Sequence, residues 1–266
     1  MPKITTNLSK MPTKLGDEVQ YYLVHEGGML HMNDLIGKEM DLVFEGIINC
    51  MICGKKTKKS FGNGACYPCF MNAAESSPCI INPELCEAHL GKGRDAEWED
   101  KHHNQPHIVY LAKSSAIKVG VTRDTQVPTR WIDQGASEAI ILAEVPYRQL
   151  AGAIEVQLKA YFTDKTNWQR MLKNEVTALD LLEAKEDVLN HYLDEEYHEF
   201  ISNNDEIIKI NFPVLAYPDK VKSTNLDKEP ILEGKLQGIK GQYLYFEDGK
   251  VINIRKHSGY LVTLSY

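Results

Sequence analysis

The chain has 266 residues, 43% of them hydrophobic and 25% charged, with a formal net charge of −7. It is long enough to bury a sizeable core and hold two or three small modules, but no apolar run approaches the roughly 20 residues of a membrane helix, and Met1 to Lys14 lacks the apolar stretch of a secretory leader. An acidic surface repels nucleic acid as a whole, so any phosphate contact has to come from local basic patches. A cytoplasmic, reducing location is expected, in which the six cysteines serve as metal ligands rather than disulfides.

Residues 1–48 carry two strand-like pieces, Val19-Gln20-Tyr21-Tyr22-Leu23-Val24 and Met40-Asp41-Leu42-Val43-Phe44-Glu45-Gly46, separated by a Gly-Gly turn and a polar loop. Nothing in them points to chemistry, and a β scaffold is expected. Residues 49–107 form a cysteine-rich, zinc-binding module. Cys50-x2-Cys53 is followed after twelve residues by Cys66-x2-Cys69. Each pair grips one ion from a tight turn, and two pairs complete a closed, structural four-thiolate zinc site. Lys55, Lys56, Lys58 and Lys59 lie between the pairs with no acid among them. Such a run is either a solvated loop or the phosphate-contacting patch of a nucleic-acid binder. Farther on come Cys79, Cys86, His89, His102, His103 and His107. Cys79-x6-Cys86 with His103-x3-His107 offers two sulfurs and two nitrogens to a second zinc; the alternative is a free cysteine pair beside a solvent-facing histidine cluster.

Residues 108–172 open with Ile108 to Ala112 and Ile117 to Thr122, two β-prone runs joined by Lys113-Ser114-Ser115-Ala116, which predicts a hairpin. Thr129 to Gly135 reads as a short helix closed by glycine, Ile140 to Val145 as a third strand, and Gln149 to Phe162 as a helix with apolar residues at Leu150, Ala153, Ile154, Leu158 and Phe162. That helix carries one acid on its middle turn, Glu155. Residues 173–204 form an acidic helical segment, with one amphipathic helix expected over Leu181 to Glu199. Residues 205–266 read as strand, strand, Asp-Gly turn, strand, a small β segment that the strands of 1–48 complete as a sheet or barrel. Tyr243, Tyr245, Arg255, Lys256 and Tyr260 are there either a stacking and phosphate surface or cross-strand pairs. The fold class expected is α+β.

The order hairpin, helix with arginine, strand, helix with glutamate, then asparagine resembles the GIY-YIG nuclease domain. Ile108-Val109-Tyr110, Lys118-Val119-Gly120, Arg130, Glu155 and Asn167 carry the resemblance, over residues 108–167. Most of that family has a tyrosine where Lys118 stands; Lys118-Val119-Gly120-Val121-Thr122 is similar to the K-I-G-x-T of a phage-type branch. The whole chain also resembles an uncharacterised bacterial family that joins a cysteine cluster to such a domain, and that resemblance favours Cys79, Cys86, His103 and His107 as ligands of the second zinc. The resemblance implies a three-stranded sheet with flanking helices and metal-dependent cleavage of DNA or RNA. Glu155 is then the Mg²⁺ ligand, since one carboxylate with waters and substrate oxygens suits an ion that keeps much of its hydration. Tyr110 handles a proton near the metal-bound water, Arg130 and Lys118 meet phosphate oxygens, and Asn167 orients the substrate or the segment after it. The competing reading is a non-catalytic, zinc-containing nucleic-acid-binding protein on a degenerate scaffold; a third is a protein-interaction scaffold.

Overall fold

The computed structural model describes residues 2–162 and 167–266. It divides into two units, one built from residues 1–71 with 211–266, the other from 72–210. In chain order the principal elements are β1 (Lys3–Asn7), β2 (Gln20–His25), β3 (Gly28–His31), β4 (Glu39–Asn49), β5 (Lys56–Thr57) and α1 (Tyr67–Asn72). Then come α2 (Ala96–His103), β6 (His107–Lys113), β7 (Ile117–Arg123), α3 (Thr129–Asp133), β8 (Glu138–Val145), α4 (Arg148–Leu158), α5 (Trp168–Leu172), α6 (Leu181–Asp187) and β9 (Ile208–Lys209). The last are β10 (Ile231–Lys240), β11 (Tyr243–Phe246), β12 (Lys250–Asn253) and β13 (Tyr260–Ser265). The protein is an α+β protein, as its alternating periodicities predict.

The first unit is organised on one sheet in the order β1-β13-β4-β10-β11-β12, antiparallel at each of these pairs, with Lys222–Ser223 added in parallel beside β12. The two ends of the sequence do share a sheet: β4, from the N-terminal segment, lies between β13 and β10. Alternation along β4 sends Met40 and Leu42 inward, where they join buried Leu8, Met11, Leu244, Ile254 and Leu264. The β4–β13 register slips between Tyr260 and Val262, opposite the stretch of β4 that contains Gly46 at φ 71°. A glycine takes that left-handed conformation without a Cβ penalty, so the bulge forms there. Tyr245 and Tyr260 are buried, the latter with its hydroxyl donating to Asp227 at 3.0 Å. They are sheet-packing residues, not a stacking surface.

The second unit is a sheet in the order β9-β8-β6-β7, antiparallel at every pair. It extends the expected three strands by the two-residue edge β9. Every residue of β6 from His107 to Ala112 is buried, which fits its central place. Ala151, Ile154 and Leu158 of α4 pack with Val109, Leu111, Ile140 and Leu142. The acidic segment joins that core through Leu181, Ala184, Val188 and Leu193. It is not the single helix its sequence suggests. α6 ends at Asp187, a π-helical turn follows over Val188–Tyr192, Leu193 is extended, and Glu195–Phe200 is a 3-10 turn. A straight helix has one apolar stripe; the breaks let Val188, Leu193, Tyr197, Phe200 and Ile201 all reach the same core.

The expected 49–107 module is also divided. Cys50 and Cys53 follow β4 and stay with the first unit, whereas residues 72–107 belong to the second, where the turns Pro83–Leu85 and Ala88–Leu90 pack on α4.

A basic cavity and two cysteine clusters

Two backbone features shape the second unit's cavity. Tyr110 and Gly120 face each other across β6 and β7. A Cβ at position 120 would meet the Tyr110 hydroxyl at 2.5 Å, so only glycine lets the ring cross the neighbouring strand. On α4, a Cβ at Gly152 would collide with the backbone of Pro83 and Glu84. The 3-10 turn Pro83–Leu85 therefore lies directly on the helix.

Between these features is a cavity of about 110 Å³ beside the edge strand β7. Lys118 and Gly120 of β7, Arg130 and Gln134 at α3, Arg148 and Glu155 of α4, and Ile80, Ile81 and Pro83 line it. Of the expected catalytic residues, Lys118, Arg130 and Glu155 thus converge. Tyr110 does not line the cavity. It is fully buried beneath it, edge-on to Trp131, and its hydroxyl donates to Gln134 Oε1 at 2.9 Å. Burial raises its pKa above the ordinary phenol value, outweighing nearby Arg130, so it stays protonated. Asn167 is also elsewhere: it caps α5, accepting from Arg170 N–H at 3.1 Å, and it is exposed.

Glu155 is 8% exposed and paired with Lys159 at 3.3 Å. Burial raises its pKa, the pair with Lys159 opposes this, and the nearby Glu84 carboxylate adds to the rise. Glu84 Oε2 is itself buried without a hydrogen-bond partner among the described residues. Glu84 does not line the cavity, which leaves Glu155 as its carboxylate, facing three cationic side chains, Lys118, Arg130 and Arg148.

Sequence reading missed two cavity residues, Arg148 and Gln134. Arg148 has the stronger signal. It stands two turns before Glu155, and Arg148, Glu155 and Lys159 form one charged stripe along the helix. Arg148 donates to the Cys79 carbonyl at 2.8 and 3.0 Å and to the Ile80 carbonyl at 3.0 Å. It ties the cavity wall to the second cysteine cluster. Gln134 lies one turn beyond Arg130, spacing that only a folded α3 makes meaningful.

In the first unit, one sulfur each from Cys50, Cys53, Cys66 and Cys69 lie within 4.8 Å of one another, near enough to hold a metal ion such as zinc. The N–H groups of Cys53 and Cys66 point at Cys50 Sγ, at 3.5 and 3.2 Å. Burial would push the Cys50 thiol up, but these N–H groups together with that of Ile52 outweigh it and bring the pKa to about 6. Gly54, at φ 72°, closes the turn by donating to the Cys50 carbonyl at 2.8 Å. Lys55, Lys56, Lys58 and Lys59 are all exposed on the adjoining hairpin, where β5 pairs with the end of β4.

The second cluster differs from the expected set. Cys79, Cys86, Glu99 and His103, all buried, offer ligand atoms within 4.8 Å of one another. His107 is not a member: its Nδ1 faces the Gln105 carbonyl at 2.7 Å. Burial lowers its pKa to about 4, and its Nε2 is buried without a partner among the described residues. Glu99 is not legible as a ligand in the sequence, because an acid in an acidic helix carries no mark of its own, although its place one turn before His103 is a common ligand spacing.

Among the described residues no helix is long and apolar enough to cross a membrane. No curated protein and no solved structure matches the chain. A family described as "Protein of unknown function (DUF2797)" matches residues 37–262.

Proposed function

Since the chain belongs to this family of unknown function, DUF2797, whose description assigns no chemistry, we propose a function from the site alone: metal-dependent phosphodiester cleavage of nucleic acid. One observation carries the reading. Lys118, Arg130 and Glu155 come from a strand and two helices yet line one small cavity, with Tyr110 beneath it and its hydroxyl on Gln134.

Hydrolysis adds water across a P–O ester bond through a transition state with extra negative charge on the phosphoryl oxygens. Lys118 and Arg130 are placed to hold those oxygens, Arg130 through its two-pronged guanidinium. Tyr110 holds the Gln134 carbonyl oxygen, which leaves the amide N–H₂ free to turn toward the cavity. Tyr110 is thus a positioning residue. Glu155, with Glu84 near it, would hold Mg²⁺, which when bound lowers the pKa of an attacking water and neutralises phosphate charge. The exposed lysines of the β5 hairpin are the proposed phosphate-contacting surface of the first unit, and the four-cysteine site is a structural zinc site that stiffens that hairpin.

The test is a cleavage screen with Mg²⁺ on DNA and RNA of several shapes, comparing the parent with Glu155→Gln. Cleavage is expected in the parent, and in the variant a fall of at least a hundredfold, because the transition-state charge loses its counterweight. A parent that binds nucleic acid without cutting it sinks the proposal in favour of a binding module. Equal cleavage by the two proteins places the activity at another site.

A further inference from the structure

We propose that Cys79, Cys86, Glu99 and His103 hold a second zinc-type ion, and that this ion fixes the wall of the Lys118–Glu155 cavity. The proposal stands whether or not the cavity cleaves phosphodiesters.

The spacings carry the ligand set. Cys79 Sγ lies 3.7 Å from His103 Nδ1 and 3.8 Å from a Glu99 oxygen, and His103 Nδ1 lies 3.4 Å from that same Oε2. A nitrogen–oxygen separation of that size is long for a hydrogen bond. Zinc bonds of about 2.3 Å to sulfur and 2.0–2.2 Å to nitrogen or oxygen place tetrahedral neighbours about 3.4–3.8 Å apart. The three observed separations are edges of that tetrahedron.

The carboxylate is held for this use. Glu99 Oε1 accepts from the Ser77 hydroxyl at 2.9 Å and from Arg94 N–H at 3.0 Å, which leaves Oε2 to face Cys79 and His103. A Cβ at Gly93 would lie 2.5 Å from the Glu99 carboxyl carbon, so the chain there leaves it room. Such outer partners orient metal ligands and bear on affinity nearly as much as the ligands do. His107 itself stands outside the set of donors within 4.8 Å of one another.

Two thiolates, one carboxylate and a neutral histidine leave one negative charge after a divalent ion is counted. The Arg148 guanidinium, anchored on the Cys79 carbonyl, is near enough for both cysteines to act on it electrostatically. Arg148 also lines the cavity, and so do Ile80, Ile81 and Pro83, which lie between the two cysteine ligands in sequence. An ion joining Cys79 and Cys86 to α2 therefore sets where that wall stands.

Elemental analysis of the full chain, purified reduced with zinc, should give two ions per chain, and Cys79→Ser/Cys86→Ser should give one. On cobalt substitution, the difference spectrum between parent and that variant should show the charge-transfer intensity of two thiolates, about half that of the four-cysteine site. Glu99→Gln should weaken the second ion at least tenfold, while His107→Gln keeps it. Amide exchange over residues 79–86 should speed up in the double-serine variant. One ion per chain in the parent overturns the site, whatever the variants do. A second ion lost in His107→Gln but kept at parent affinity in Glu99→Gln overturns the ligand set. Unchanged exchange over 79–86 overturns the bracing role.

Discussion

Single residues at the cavity are constrained by what has to come close, not by what they carry. Gly152 sits mid-helix, where alanine gains about 1 kcal/mol of intrinsic propensity. Here the added Cβ meets the backbone of Pro83 and Glu84, which no rotamer change relieves. Gly152→Ala is therefore expected to destabilise by about 1–3 kcal/mol, read as a lower denaturant midpoint with unchanged slope. A stabilised variant would mean that the 83–85 turn moves away at little cost. The same logic explains what could be read in advance. Lys118, Arg130 and Glu155 stand out in the sequence as charges set within β-prone or apolar stretches. Glu99 does not, because its neighbours Glu97 and Asp100 are acids too, and only burial separates a ligand from a solvated charge. The strand position of Tyr110 follows from β propensity, but its exclusion from the cavity depends on Gln134, a contact across 24 residues that no local pattern encodes.

At the scale of elements, the hairpin bearing Lys55 to Lys59 is the clearest lever on binding. All four lysines are exposed, and Lys59 Nζ stands 5.4 Å from the Phe61 ring centroid. Replacing the four by glutamine should weaken nucleic-acid binding and flatten the slope of log affinity against log salt by roughly two to four units. An unchanged slope removes the hairpin from the interface. Secondary structure was legible wherever periodicity was strong: β6, β7, β8 and α4 fall within a few residues of their sequence-predicted limits. The acidic segment was not, because helical spacing over Leu181 to Glu199 describes one straight stripe, and the core it meets demands a bend. The split of the cysteine-rich region was hidden for a similar reason. Nearness in sequence predicts one module, whereas β4 and α4 hold its two parts in different units.

At the scale of the whole molecule, one buried ammonium ties stability to pH. Lys240 is 1% exposed, with its ammonium 5.3 Å from the Phe212 ring centroid and 5.2 Å from that of Tyr217. Burial lowers its pKa from 10.5 to about 8. Between those values the unfolded chain binds more protons than the folded one, so this residue makes stability rise with pH across that window and leaves it flat below. Lys240→Met should remove that rise, worth up to about 3 kcal/mol by pH 10. Urea midpoints of both proteins from pH 7 to 10 check it, and parallel curves would refute it. The difference between the two isolates Lys240 from Tyr260, whose pKa is raised to about 12 by burial and by its bond to Asp227. A last consequence lies in the order of the sheet. β4 ends at Asn49, yet both its neighbours, β10 and β13, begin only at Ile231 and Tyr260. At ribosomal rates of about 5–20 residues per second, β4 waits roughly 10–40 s with only Ile48 and Asn49 paired, to β5. The contiguous 72–210 unit has by then been made in full. Through that interval the apolar residues of this strand, Met40 and Leu42 among them, are open to pairing with other chains.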